Sequence, residues 1–554
     1  MLTTNRRRFL KTSLNTLLLS NVVHPQALFA QDKPDEVLTE TTYGRLRGSR
    51  IRGVNMFKGI PYAGSVSGEH RFRTPAPLQP WAGVRDASSL GAPSIQVPNR
   101  SILVYDPEPA EDCLFLNVWT PANDNRKRPV MFYCHGGGFS TGSAGSVPQD
   151  GANLARLYDV VVVQTNHRLG LLGYLYLDEL GGDDYSGSGN NGMTDIVLGL
   201  EWVRDNISHF GGDPDNVMIW GESGGGAKVS SLYAMPSASA LFHKASIESG
   251  PGIVMNTLDD AVRTTDMVLR ELGIARQDWR RILDLPARSL LELQLKLEAA
   301  GSGALGAGFK GIGINGPGVF GPVVDGHILP QHPFEPEAPA FSKDKPLLTG
   351  WNEDEIVFFL MFGGYTSVLM LDDQGLQQQV TTRFGDDATD IIHAYRQSRP
   401  KATPGDLYIG IYSDYLMGLG SIRLAERKLA QGGAPVYLYN FGYISETLIP
   451  GTNHPMVTPH AMDISFKFSN VPEEADPANP GMPGMRPERL LAAKNFSDLW
   501  TTFARTGKPG AQGQPEWEAY NLESRPTYRI AETCSLLHNP HQGELAMWQA
   551  LENA

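Results

Sequence analysis

The chain has 554 residues and a formal net charge of −13, from 47 Lys and Arg against 60 Asp and Glu. An acidic chain without Lys/Arg clusters in its body is a poor partner for nucleic acid or for an anionic membrane. Hydrophobic and charged fractions of 41% and 19% exclude a disordered chain. This length buries a core that needs neither metal nor disulfide for stability. Only Cys113, Cys134 and Cys534 are present, too few for a disulfide scaffold and in no zinc-binding spacing. A Cys113–Cys134 bridge stays open, although isolated buried thiols fit better.

Residues 1–30 differ in kind from the rest of the chain. Arg6, Arg7, Arg8, Phe9, Leu10 and Lys11 precede a modest apolar stretch built on Leu14, Leu17, Leu18, Leu19, Val22 and Val23. A basic start before a short apolar run is the pattern of an export signal, and this run is too short to span a bilayer. The paired arginines, with Phe-Leu-Lys one residue on, resemble the twin-arginine signal that exports folded proteins. Cleavage after Ala30 fits, with Leu28 larger than usual three places before the cut. No Cys directly follows the apolar run to carry a lipid anchor. The expectation is a periplasmic or secreted protein without a stable membrane anchor; a cytosolic protein with a basic amphipathic start is the competing reading.

From Thr41 onward short apolar runs alternate with helical patterns, and no linker or repeat interrupts them. Residues 116–119, 130–133, 160–163 and 217–220 read as strands buried on both faces, being short, apolar and bounded by turn residues. Asp195 to Phe210 carries Ile196, Leu200, Val203 and Ile207 at helical spacing, and Ala227 to Met235 reads as the helix after the last of those strands. Strands alternating with helices predict a mainly parallel α/β sheet. Helical patterns at 261–272 and 290–299 look like insertions, and the glycine-rich run 301–321 like a loop. Residues 31–554 read as a single large domain.

Gly221-Glu222-Ser223-Gly224-Gly225 fits G-x-S-x-G, a strained strand-to-helix turn that exposes the serine hydroxyl. Gly138-Phe139-Ser140-Thr141-Gly142 fits it too, but context separates them. Ser223 follows an apolar strand and opens a helix, whereas the glycines and proline after Ser140 cannot continue as one. A serine nucleophile needs a base and donors for the oxyanion. His135-Gly136-Gly137-Gly138, directly after a strand, offers backbone N–H groups that no side chain shields. The N–H groups of Gly137, Gly138 and Gly224 are the candidate oxyanion hole.

These motifs stand in a chain that resembles the type-B carboxylesterases, the serine hydrolase family that also holds cholinesterases and neuroligins. Matching segments run nearly end to end: Phe57 to Ala63, Arg71-Phe72 before Pro75, Glu111 to Val118, Asn166 to Gly170, Phe210 to Val217 and Trp500 to Gly507. The resemblance implies one α/β-hydrolase domain, cleaving a small-molecule ester through an acyl-enzyme with no cofactor or metal. It also assigns the remaining catalytic residues in the order serine, acid, histidine. In Gly350 to Glu355 the glutamate five places after the glycine matches the family acid, which makes it Glu355; Glu353 and Asp354 are its rivals. His460, followed three places on by Asp463, matches the family histidine, and His454 is its decoy.

Departures narrow the reading. Ile356 replaces the family's usual glycine after the acid, and Gly224 its commoner alanine after the nucleophile. Lys228-Val229-Ser230 looks like the bacterial, para-nitrobenzyl-esterase-like branch. No cysteine stands near Ile95-Gln96, where the family's first disulfide partner for Cys113 would fall, as suits folding in a reducing compartment. Residues 97–110 lack the tryptophan with which cholinesterases hold a quaternary ammonium, so choline esters are disfavoured. Amides, carbamates and thioesters remain open to the same triad. A binding protein of the neuroligin kind should have lost its nucleophile or base, and both are kept here.

Overall fold

The computed structural model describes residues 35–99, 104–301 and 318–553. The expected export signal and most of the glycine-rich run lie outside these described residues.

Strands enter in chain order as β1 (Asp35–Thr41), β2 (Gly44–Ile51), β3 (Val54–Pro61), β4 (Val84–Asp86), β5 (Phe115–Thr120), β6 (Arg128–Cys134), β7 (Val161–Thr165) and β8 (Gly212–Glu222). After them come β9 (Lys244–Glu248), β10 (Leu347–Asn352), β11 (Val436–Phe441), β12 (Ser445–Leu448), β13 (Pro455–Val457), β14 (Pro526–Ile530) and β15 (Ser535–His538). Among the described residues they build a 13-stranded sheet in the order β1-β2-β3-β5-β7-β6-β8-β9-β10-β11-β14-β15, with β4 beside β2. The centre, from β7 to β14, is parallel. β12 and β13 form a separate antiparallel pair.

The near-continuous apolar runs of the central strands have a simple cause. Side chains alternate between the two faces of a strand, and here both faces are covered. In β6, Val130, Phe132 and Cys134 enter one core while Met131 and Tyr133 enter the other. β8 divides in the same way, Val217 and Ile219 against Met218 and Trp220. The first core takes Ile196, Leu200 and Val203 of helix α1 (Asn191–Asn206); the second takes Phe496, Trp500 and Phe503 of a long helix (Glu488–Thr506) near the C-terminus.

Helix α1 starts four residues before the expected Asp195, and its expected last turn, Ile207–Phe210, tightens into a 3₁₀ turn closed by Gly211 at φ +75°. The next helices are α2 (Gly224–Tyr233), α3 (Leu258–Glu271) and α4 (Ala287–Gly301), the last two being the expected insertions. A short apolar helix, α5 (Ile356–Gly363), and a shorter one, α6 (Met462–Lys467), lie between α4 and the long helix α7 (Glu488–Thr506). All three cysteines are free and buried, which settles the question of a Cys113–Cys134 bridge. No helix among the described residues is long and apolar enough to cross a membrane.

Candidate active site

β6, β8, β9, β10 and β11 are neighbours; the loops that leave the carboxyl ends of β6, β8 and β10 carry the predicted glycines, Ser223 and Glu355, and His460 comes from the segment between β13 and α6. In a mainly parallel sheet that end is where ligands are bound. Ser223 stands between β8 and α2 with φ +59° and ψ −125°, a conformation that side chains rarely adopt and that only its surroundings can impose. Its N–H donates to the Glu248 carbonyl at 2.9 Å, and its own carbonyl accepts the Ala227 N–H at 3.2 Å. These bonds tie the turn to β9 on one side and to the helix on the other.

Glu355 and His460 meet as expected. His460 Nδ1 is 2.5 Å from Glu355 Oε2, and the His460 N–H reaches back to the Glu355 carbonyl at 3.4 Å. The other carboxylate oxygen accepts the Asn352 N–H at 2.7 Å, so both oxygens of the acid are engaged. The rival carboxylates are occupied elsewhere. Glu353 pairs with Arg529 at 2.5 Å, and Asp354 accepts the Thr458 N–H at 3.1 Å. His454, the decoy, is 3.1 Å from Asp406 on the helix Pro404–Ser413.

A cavity of about 730 Å³ opens over the site, lined by Ser223, His460, Gly136, Gly137 and Gly138 together with Phe139, Phe358 and Phe359. The two phenylalanines of α5 lie with ring centroids 5.6 and 4.9 Å from the imidazole. Gly137 and Gly138 have φ of +87° and +62°, in the left-handed region that favours glycine. Gly224 opens α2, so its N–H has no intrahelical partner. A side chain at Gly224 would fall 2.3 Å from both the nitrogen and the oxygen of Gly138, which shows how closely the glycine loop lies on the helix start. Ser140 stays in a turn, lines the cavity and donates its hydroxyl to Glu298 at 2.5 Å.

Three features escaped the sequence reading. The first is Glu222, beside the serine, whose Oε1 lies 3.3 Å from His460 Nε2. Burial raises the Glu222 pKa to about 8 against the pull of His460. Burial also opposes a charged His460, but the carboxylates of Glu222 and Glu355 outweigh it and hold the imidazole at about 9. The pairing therefore raises the imidazole, while for Glu222 it only offsets part of what burial does. The second is a fully buried network in which Lys467 bridges Asp463, at 2.5 Å, and Glu248. Trp500 and Ser246 donate to the other oxygen of Glu248 at 2.5 and 2.6 Å. Asp463 and Lys467 stand four residues apart on α6, a spacing that could have suggested their pairing. The third is Lys228, buried in α2, which donates to the His135 carbonyl at 2.9 Å.

Comparison with known proteins identifies the family. The model of the carboxylesterase family matches residues 35–548. A para-nitrobenzyl esterase of Bacillus subtilis is 32% identical over 523 residues, covering 91% of this chain and 96% of that protein. A phenmedipham hydrolase of Pseudarthrobacter oxydans is 30% identical, covering 92% and 96%. Among solved structures, a carboxylesterase of Geobacillus stearothermophilus superposes with a TM-score of 0.77 at 36% identity, covering 92% of this chain and all of that one. An α/β-hydrolase sheet with its serine turn, matched from Asp35 nearly to the C-terminus, leaves one conclusion: the chain belongs to the carboxylesterase family.

Proposed function

We propose that the protein hydrolyses small-molecule carboxylic esters through an acyl-enzyme on Ser223, with His460 as general base and acid and Glu355 as the acid that orients it. Once His460 has lost the proton it holds to about pH 9, its Nε2 takes the hydroxyl proton as Ser223 Oγ attacks the ester carbonyl, and Glu355 holds the ring at Nδ1. The oxyanion accepts hydrogen bonds from the N–H groups of Gly137, Gly138 and Gly224, each worth roughly 3–4 kcal/mol of barrier. His460 then protonates the leaving alcohol, and water activated by the same ring releases the acid.

The observation that carries this reading is that a strained serine and the imidazole of a buried Glu355–His460 pair line one cavity. The relatives named above, a para-nitrobenzyl esterase among them, support the ester class. The test is hydrolysis of p-nitrophenyl esters of increasing acyl length by the wild type and by Ser223→Ala. Turnover should fall by about 10⁶-fold in kcat, as for the subtilisin nucleophile, and the preferred acyl length would size the pocket. A variant that keeps its turnover would remove Ser223 from the mechanism.

The same proposal extends to where the enzyme works. Residues 1–30 act as a twin-arginine-type signal, and residues 31–554 serve as one catalytic unit in the periplasm or outside the cell. The Arg6-Arg7 pair before Phe9-Leu10-Lys11 supports this reading.

A further inference from the structure

Helix α2 carries one charged residue, Lys228, and it is wholly buried. Residues four apart share a helix face, so Lys228 projects on the same side as Gly224, the side that lies against Gly138. Its ammonium donates to the His135 carbonyl at 2.9 Å and sits 5.9 Å from the centre of the Phe139 ring. His135 and Phe139 bracket Gly136, Gly137 and Gly138, so the lysine touches both ends of the glycine loop.

The surroundings of this ammonium offer no negative charge. From β6 come the Cys134 thiol and the His135 ring, and after β7 comes the His167 ring, stacked on His135 with centroids 4.7 Å apart. Burial holds the thiol neutral, with its pKa near 12, and burial with Lys228 itself pushes both imidazoles well below their usual range. No carboxylate among the described residues pairs with Lys228. Burial accordingly pulls the lysine down to about 7. A buried charge without a partner is costly; the Glu222 carboxyl lies against Gly136, but burial raises its pKa to about 8, which leaves the oxyanion formed over the glycines as the negative charge that could compensate the lysine.

We propose that Lys228 is a positioning residue of the oxyanion hole, which fixes the root of the glycine loop and places an otherwise uncompensated positive charge beneath the developing oxyanion. This rests on the reading of Gly137, Gly138 and Gly224 as that hole. The charge is of use only when the oxyanion is present, so it lowers the barrier rather than the ground state. By linkage, what favours the protonated lysine favours the transition state, and deprotonation at alkaline pH weakens it.

The test compares kcat and KM for p-nitrophenyl acetate, across neutral to alkaline pH, in wild type, Lys228→Gln and Lys228→Met. Glutamine keeps a donor for the His135 carbonyl but no charge; methionine has neither. Both variants should lose about 10- to 100-fold in kcat, less than the loss of a direct donor, with KM little changed. The wild type should lose kcat on the alkaline side, and both variants should lack that limb. Restoration of wild-type kcat and pH profile by glutamine would reduce Lys228 to a tether and overturn the proposal. So would a wild type without an alkaline fall, which decides the matter even if neither variant folds. Ser223→Ala, assayed in parallel, keeps the two readings apart: turnover surviving there would sink the serine mechanism itself, whereas its loss beside fully active Lys228 variants would sink only this inference.

Discussion

Ser223, its neighbours and the residues that hold them show how small the margins are at the scale of single side chains. The family's commoner residue after the nucleophile is alanine, yet here a Cβ at position 224 would meet the Gly138 backbone at 2.3 Å. The contact is with main chain on a loop whose conformation only glycine adopts easily, so it cannot be relieved by a rotamer change. Gly224→Ala should therefore push Gly138 away from the helix start and cost about one oxyanion donor, 10²- to 10³-fold in kcat. Thermal unfolding should barely change. Unaltered turnover in this variant would mean that loop and helix can part freely. The choice among Glu353, Asp354 and Glu355 also belongs to this scale. Spacing alone could not separate three neighbouring carboxylates, because what distinguishes them is partners contributed from more than a hundred residues later: Arg529, Thr458 and His460. Family resemblance pointed to Glu355, and of the three it is the one that meets His460.

Among the secondary-structure elements, the central strands were the most legible because burial on both faces leaves an unbroken apolar run. Helix α1 was legible from its spacing but not at its ends, where Gly211 and a 3₁₀ turn replace a regular last turn. The sequence held little sign of the ionic link under the site. Glu248 ends β9, Asp463 and Lys467 stand on α6, and Trp500 belongs to α7, so the network ties together elements that are distant in the chain. Only the four-residue step from Asp463 to Lys467 was visible beforehand. Lys467→Met would leave two carboxylates buried without their cation, and breaking a buried pair in this way costs about 3–5 kcal/mol. Denaturant unfolding of the two proteins measures it. A loss under about 1 kcal/mol, the worth of a surface pair, would show that the carboxylates manage without the lysine.

For the molecule as a whole, the sheet joins an antiparallel N-terminal flank to a parallel centre, and the resemblance anticipated that architecture better than the periodicity did. An alternation of strands and helices says nothing of β1–β5, which are joined without intervening long helices. The three buried free thiols leave nothing to oxidise into a bridge, which suits a protein completed in a reducing compartment and moved afterwards. Replacing Arg6 and Arg7 together by lysine should strand the active enzyme inside the cell, as cell fractionation with esterase assay would reveal; undiminished export would refute the twin-arginine reading. The wide separation of the catalytic residues carries one more consequence. Ser223 follows β8, while the imidazole comes just before α6, and Glu248, which holds the buried Lys467, is bonded in turn by Trp500 of α7. A growing polypeptide thus carries Ser223 long before residue 460 supplies the imidazole that the proposed mechanism requires, so it should lack hydrolytic power until that point of its synthesis.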